Sequence, residues 1–400
     1  MNIIWLTPEI PYPPIGGRNG VYNRIVQLSK YNNIFLFSIA YDEAEKNNSE
    51  EMKKYCNEVH YYNRNENKLK KILKSIIEPY SVASRTLPKI RKDIMECFRN
   101  NKIDIVITDF PNMAKNLLGL ELKCYCTLNQ HNNEYRRMRD MYYIKTLPYI
   151  KRLAYLLESY RLENYEKKLY ISNLYQSITF FSIDDCNAFR KKWSDCFADL
   201  KVFPLGANAV VAQEACKDKK HNTFLFVGRL DNIATTNVEA ITWFCKDVLP
   251  RIEKQIDVNV VIAGANPSES IMCLKKKNVR VIPNYESLES VYNLADYVIL
   301  PLLSGGGVKG KLLEAAAYGK VIISTKHGIE GTEFLPEQHV FYGETDEEFA
   351  KKCIEAVQNC TKACEIANNA KSLFENKYEW TQIGVDYNKY LTSKVMGNCK

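Results

Sequence analysis

Short apolar runs alternate with helix-length segments along nearly the whole chain, and the alternation breaks once. Asn2 to Thr7 reads as a strand, followed by a Pro- and Gly-rich loop and a helix from about Gly20 to Lys30. Ile34 to Ala40, Asp104 to Thr108 and Cys124 to Leu128 read as further strands. A helical region runs from Glu134 to about Tyr170, interrupted near Pro148. Strands at Ser177 to Ser182 and Lys201 to Pro204 follow, with a helix between them. These runs are apolar at successive positions, so each strand is expected to be buried on both faces. Strands of that kind separated by helices predict an α/β fold with a doubly wound parallel sheet.

The break covers Gly206 to Asn222, which is small and polar with a charged run Lys217-Asp-Lys-Lys220. The alternation restarts with strands at Thr223 to Val227, Val258 to Ala263, Val279 to Ile282, Tyr297 to Leu300, Val321 to Ser324 and His339 to Tyr342. Two Rossmann-like domains are therefore expected, over residues 1–209 and 210–378, with a helix over 379–400 packing back on the first. A chain of 400 residues is long enough for two cores. Ligands of such sheets bind beyond the carboxyl ends of the strands. The loops Gly16-Gly17 and Gly305 to Gly307 fall at such ends, and a cleft between the halves is expected to face both.

Composition narrows the class further. Hydrophobic residues make up 46% and charged residues 26%, as in globular rather than disordered chains. No apolar run approaches the roughly 18 residues of a membrane span. No basic stretch precedes the short apolar run Ile3 to Leu6, so the start does not read as a signal peptide, and a cytoplasmic protein is expected. The 13 cysteines lack a repeated spacing, and Cys124-Tyr-Cys126 has no second pair or His partner. Free thiols in a reducing compartment are expected. The net charge of +8 is uneven, concentrated at Lys68 to Lys74 and from Arg136 to Arg152. The second stretch is interleaved with Tyr and Leu, which suits an anionic membrane face and places the protein peripherally there. The same stretch also reads as a solvated helix face over the sheet. Nothing resembles a base-reading module, so nucleic acid is not an expected partner.

The segment Leu300-Pro-Leu-Leu-Ser-Gly-Gly-Gly-Val-Lys-Gly-Lys-Leu-Leu-Glu314 carries the chemistry. Gly305, Gly306 and Gly307 let backbone N–H groups approach a ligand closely, and a helix beginning near Val308 adds free N–H groups and a positive dipole end. Lys309 and Lys311 add charge, which together suits a phosphate. Glu314, one turn on, can accept from the paired hydroxyls of a ribose. Taken alone, the segment also reads as an ordinary Gly-rich loop before a solvated helix.

Five segments in order resemble GT-B fold glycosyltransferases of the retaining family-4 type, over essentially the whole chain. Leu6-Thr-Pro-Glu-Ile-Pro-Tyr-Pro-Pro-Ile-Gly-Gly17 resembles the first strand and its glycine loop. Gln130-His-Asn-Asn-Glu134 resembles the loop of the active-site histidine, here His131. Phe203-Pro-Leu-Gly-Ala-Asn208 resembles the segment leading into the second domain. Phe226-Val-Gly-Arg-Leu230 resembles the phosphate-binding strand end, giving Gly228 and Arg229. Ser304 to Glu314 stands where the family has two glutamates eight positions apart. Glu314 matches the second, and Gly306 replaces the first, which usually contacts the donor sugar. The lysine that usually follows the Gly-Arg segment is also missing, with Asn237 in that region, so Lys309 or Lys311 is expected to supply the charge. The Gly-rich loop with its basic helix start, and Asn237-Val before Trp243-Phe244, look like a branch tied to bacterial surface polysaccharides.

The resemblance implies a donor-binding second domain (Gly228, Arg229, Gly305, Gly306, Gly307, Val308, Lys309, Lys311 and Glu314) and an acceptor-binding first domain. Gly16 and Gly17 close on the donor, and His131, Arg229 and Lys309 carry the transfer. It implies a metal-independent hexosyltransferase whose donor is a nucleotide-diphosphate sugar, whose acceptor is a glycan or lipid-linked glycan, and which needs no cofactor. No Asp-x-Asp occurs, which disfavours a metal-held diphosphate. Two alternatives stay open: a sugar-nucleotide epimerase of similar fold, and an inactive scaffold that binds sugar nucleotide or a partner.

Overall fold

A computed structural model describes residues 1–14, 17–40, 43–64, 78–131, 133–143, 148–210, 222–231, 235–305 and 307–397. Its strands are β1 Asn2–Thr7, β2 Asn33–Ala40, β3 Glu58–Asn63, β4 Ile105–Asp109, β5 Tyr125–Gln130, β6 Ser177–Phe180 and β7 Asp199–Val202. After them come β8 Thr223–Val227, β9 Asn259–Gly264, β10 Val279–Pro283, β11 Tyr297–Leu300, β12 Val321–Ser324 and β13 Phe341–Tyr342. The first seven form one sheet in the order β3-β2-β1-β4-β5-β6-β7 and the last six another, β10-β9-β8-β11-β12-β13. Every strand pair is parallel. The chain divides into two compact units, Met1–Pro204 with Ile383–Lys400, and Leu205–Gln382.

The period-two geometry of a strand explains why these runs are apolar throughout. In the second unit Phe224 and Phe226 join Ile262, Ile299 and Ile323 in one core cluster. Their neighbours Leu225 and Val227 join Ala263, Val298, Leu300 and Ile322 in another. Each strand therefore feeds two cores, one under each layer of helices. In the first unit Ile4, Leu6, Phe37, Val106 and Leu128 pack with Ile90 and Ile94 of the helix Pro88–Asn100.

Strand β3 escaped the sequence reading. It lies at the sheet edge, and within it only Tyr62 is buried, so it has no continuous apolar run to announce it. The strand order reverses between β1 and β4 in the first unit and between β8 and β11 in the second. These reversals are the switch points where such sheets bind ligands.

Candidate active site

In the second unit β8 runs into Gly228 and Arg229. The Gly228 N–H donates to the Ala263 carbonyl at 3.0 Å. A Cβ at Gly228 would stand 2.9 Å from Lys311 Nζ and 3.0 Å from Asn237 Nδ2, so only glycine leaves these groups their place. Lys311 Nζ donates to Asn237 Oδ1 at 2.7 Å and lies 4.3 Å from the centroid of the Phe226 ring. Asn237 Nδ2 in turn donates to the Arg229 carbonyl at 2.9 Å. Burial pushes the Lys311 ammonium down to about 7; nearby Lys309 adds to the fall and Glu314 opposes it.

The glycine loop follows β11, across the switch point. Gly305 and Gly307 hold φ of 98° and 76°, where a side chain is strained. Lys309 Nζ donates to the carbonyls of both, at 3.0 and 2.6 Å. Lys309 thus braces the loop, while Lys311 brings its charge to the strand end. The helix Gly310–Ala317 begins two residues after Val308, where its start was expected; Lys309 is its N-cap and gives no side-chain cap. Val308 is half-buried against the core.

Glu314 Oε2 accepts from the Tyr292 hydroxyl at 3.1 Å, and Tyr292 stacks on Tyr318 with centroids 4.5 Å apart. Burial pushes the Glu314 carboxyl up, opposed by Tyr292 and Lys311. Arg229 is 60% exposed, with Nε donating to Asp231 at 2.6 Å, so its fork lies at the surface. Of the expected donor residues, the structure brings Gly228 and Lys311 together at one strand end, with Arg229 beside them, Glu314 within electrostatic reach of Lys311 and Lys309 on the adjoining loop. Gly306 and Gly16 lie outside the described residues, and Gly17 opens the helix Gly17–Leu28.

His131 follows β5 in the first unit and is 7% exposed. Its ring stacks on Phe110 at 4.1 Å and meets the edge of Phe181 at 4.6 Å. Nε2 is 2.6 Å from Asp109 Oδ1, which also accepts from Asn129 Nδ2 at 3.0 Å. The Trp5 indole N–H donates to Asp109 Oδ2. Asn129 Oδ1 accepts from Thr179 at 2.7 Å and from Tyr387 at 2.8 Å. Arg24, 2% exposed, lies 3.9 Å over the Phe181 ring and donates to the Phe203 carbonyl at 2.6 Å. The sequence reading named His131 as a candidate and did not name the polar core beneath it; a Trp in β1 and an Asp ending β4 carry no local mark of pairing.

Among the described residues, no group of three or more His, Cys, Asp and Glu side chains is placed to hold a metal ion. None of the described helices is long and apolar enough to cross a membrane.

Two such α/β units, each with its ligand-binding edge at a switch point, define the GT-B fold of glycosyltransferases. Residues 221–359, within the second unit, match the family model of group 1 glycosyl transferases. Over 94% of this chain and 96% of its own length, an uncharacterized 44.6 kDa protein in the cps region of Klebsiella pneumoniae is 26% identical. A glycosyltransferase from Rickettsia africae shares the fold with a TM-score of 0.67 at 15% identity, over 99% of both chains. Anabaena Alr3699/HepE, solved in complex with UDP, gives 0.64 at 14% identity, over 98% of this chain and 100% of its own.

Proposed function

We propose that the protein is a retaining, metal-independent hexosyltransferase that moves a sugar from a nucleotide-diphosphate sugar to a glycan or lipid-linked acceptor in surface polysaccharide synthesis. The observation that carries this reading is the Lys311–Asn237–Gly228 contact at the β8 strand end, inside the segment that matches the family. As the bond from the anomeric carbon to the diphosphate breaks, its electron pair passes to the leaving phosphate. Lys311 and Arg229 meet that charge, with the loop amides braced by Lys309. Glu314 accepts from the ribose hydroxyls, and Tyr292 orients its carboxylate. The acceptor hydroxyl forms the new bond on the same face, and its proton goes to the leaving phosphate. His131 serves the transfer step from the first unit.

The helix Tyr149–Ile171 supports an acceptor held at a membrane. Ile150, Leu153, Leu157 and Tyr160 are exposed, Ile150 by 81% and Leu157 by 59%. Their spacing of three and four residues puts them along one side of the helix. Ser159, Leu162, Glu166 and Leu169 are buried along the opposite side, which holds the helix to the unit. An exposed apolar stripe with Lys151 exposed beside it and Arg136 and Arg137 exposed on the preceding helix suits an anionic bilayer surface. Arg137 stays 59% exposed in its pair with Glu134, whereas Arg139 does not belong to that patch, because it is half-buried and held by Glu163 at 2.7 Å.

The test is transfer of labelled sugar from a panel of nucleotide-sugars, UDP-sugars first because the Anabaena protein holds UDP, with and without EDTA. Transfer that survives chelation supports the proposal. Transfer lost in EDTA and restored by Mg²⁺ overturns metal independence. Tight binding of the donor with neither transfer nor hydrolysis assigns the scaffold role instead.

A further inference from the structure

The buried polar core under His131 has no part in the mechanism so far. Asp109 ends β4 between two neighbours, β1 and β5, and in register with Asn129. Its side chain is sealed from water. Three N–H groups converge on its two oxygens: the indole of Trp5, the amide of Asn129 and Nε2 of His131. Neither the indole nor the amide can turn into an acceptor, so the carboxylate takes the acceptor role throughout. The hydrogen between His131 and Asp109 then belongs to Nε2. The other ring nitrogen, Nδ1, bonds to no described residue, and it is not among the sealed polar atoms without a partner.

Two further features hold the ring. Phe110, stacked on it, has a φ of 65°, a strained backbone for a bulky residue, directly after Asp109. The buried guanidinium of Arg24 interacts electrostatically with Asp109, so the carboxylate has a counter-charge other than the imidazole. Tyr387, from the C-terminal helix, closes the network through Asn129.

We infer that Asp109 is the positioning residue of the first unit: it holds His131 as the Nε2–H tautomer and leaves Nδ1 as the acceptor for a substrate hydroxyl. The inference rests on the proposed role of His131 in transfer. Asp109 itself is sealed away and acts only through the ring.

Long-range ¹H–¹⁵N correlation on the full chain at pH 8 reads the tautomer directly, with His131 identified by the signal lost in His131→Asn. The expected result is hydrogen on Nε2 and none on Nδ1. In Asp109→Asn one oxygen becomes a donor facing other donors, so the tautomer preference is lost. Its kcat is expected to fall about 10- to 100-fold, with donor KM changed by less than about 3-fold. Ile107→Val loosens the same strand without touching these hydrogen bonds; it lowers Tm and leaves tautomer and kcat as they are. Hydrogen on Nδ1 in the unsubstituted protein overturns the inference even if Asp109→Asn fails to fold, as does an Asp109→Asn protein that keeps both tautomer and turnover. If the tautomer is as inferred but His131→Asn transfers sugar normally, the role in transfer fails while glycosyl transfer itself stands.

Discussion

Replacing Lys311 with Met separates the donor site from the fold. Burial drives the Lys311 ammonium from 10.5 to about 7. At about 1.4 kcal/mol per pKa unit that is about 5 kcal/mol if fully realised. The side chain keeps some contact with water, and screening reduces the cost to about 1–3 kcal/mol. The folded value lies below the unfolded one, so between about pH 7 and 10.5 the unfolded chain binds more protons and stability rises with pH. Below about 7 the cost of the buried charge is present in full. Lys311→Met keeps the apolar stem on Phe226 and drops the charge. It should raise Tm at pH 7 and flatten the rise toward pH 10. It should also weaken nucleoside diphosphate binding about 10- to 100-fold, the loss expected for a hydrogen bond to a charged group. A second signature belongs to the unsubstituted protein. At pH 8 about nine-tenths of Lys311 is neutral without ligand, and a bound diphosphate restores its proton. Calorimetry with UDP at pH 8, in buffers of different ionisation enthalpy, should show uptake of close to one proton. Unchanged affinity in Lys311→Met would refute the placement of the diphosphate at this lysine; binding without proton uptake would show instead that the ammonium is already charged in the free protein.

Glu314→Ala should weaken the free nucleoside diphosphate as well as the nucleotide-sugar by about 10- to 100-fold in a protein that still folds; unchanged calorimetric affinity would remove the ribose from this carboxylate. Arg229→Lys keeps the charge and loses the planar fork, so steady-state assays should show a large fall in activity, and wild-type kinetics would take Arg229 out of the site. Ile150→Ser with Leu157→Ser should reduce sedimentation with anionic vesicles, each lost apolar side chain mattering by up to about 1.5–3 kcal/mol. Arg136→Glu with Arg137→Glu should do the same through about 1 kcal/mol per cation. Activity on a short soluble acceptor should stay near wild type in both. A protein that never binds such vesicles at low salt overturns the membrane reading.

What could be read from the sequence was what is local along the chain. The strands with two buried faces and the glycine loop all announce themselves within a few residues, and the parallel two-sheet architecture follows from them. The polar core under His131 is the opposite case. Trp5 and Asp109 are 104 residues apart, and Tyr387 reaches Asn129 across 258. Such pairings exist only once the sheet has brought β1, β4 and β5 side by side and the C-terminal helix has returned to the first unit. The two lysines fall between these cases. Both were visible as cations at a helix start, but their roles depend on where that helix begins. Residues two apart on a helix point about 200° from each other, at roughly 100° per residue. With Gly310 as the first helical residue, Lys311 is inside the helix and reaches back to Asn237 and Phe226. Lys309 stays outside it and turns onto the carbonyls of Gly305 and Gly307. A start at Val308 would have put both lysines on the helix with their side chains on nearly opposite faces. The two-residue difference is therefore what leaves Lys309 outside the helix, where its side chain can fold back and brace the loop.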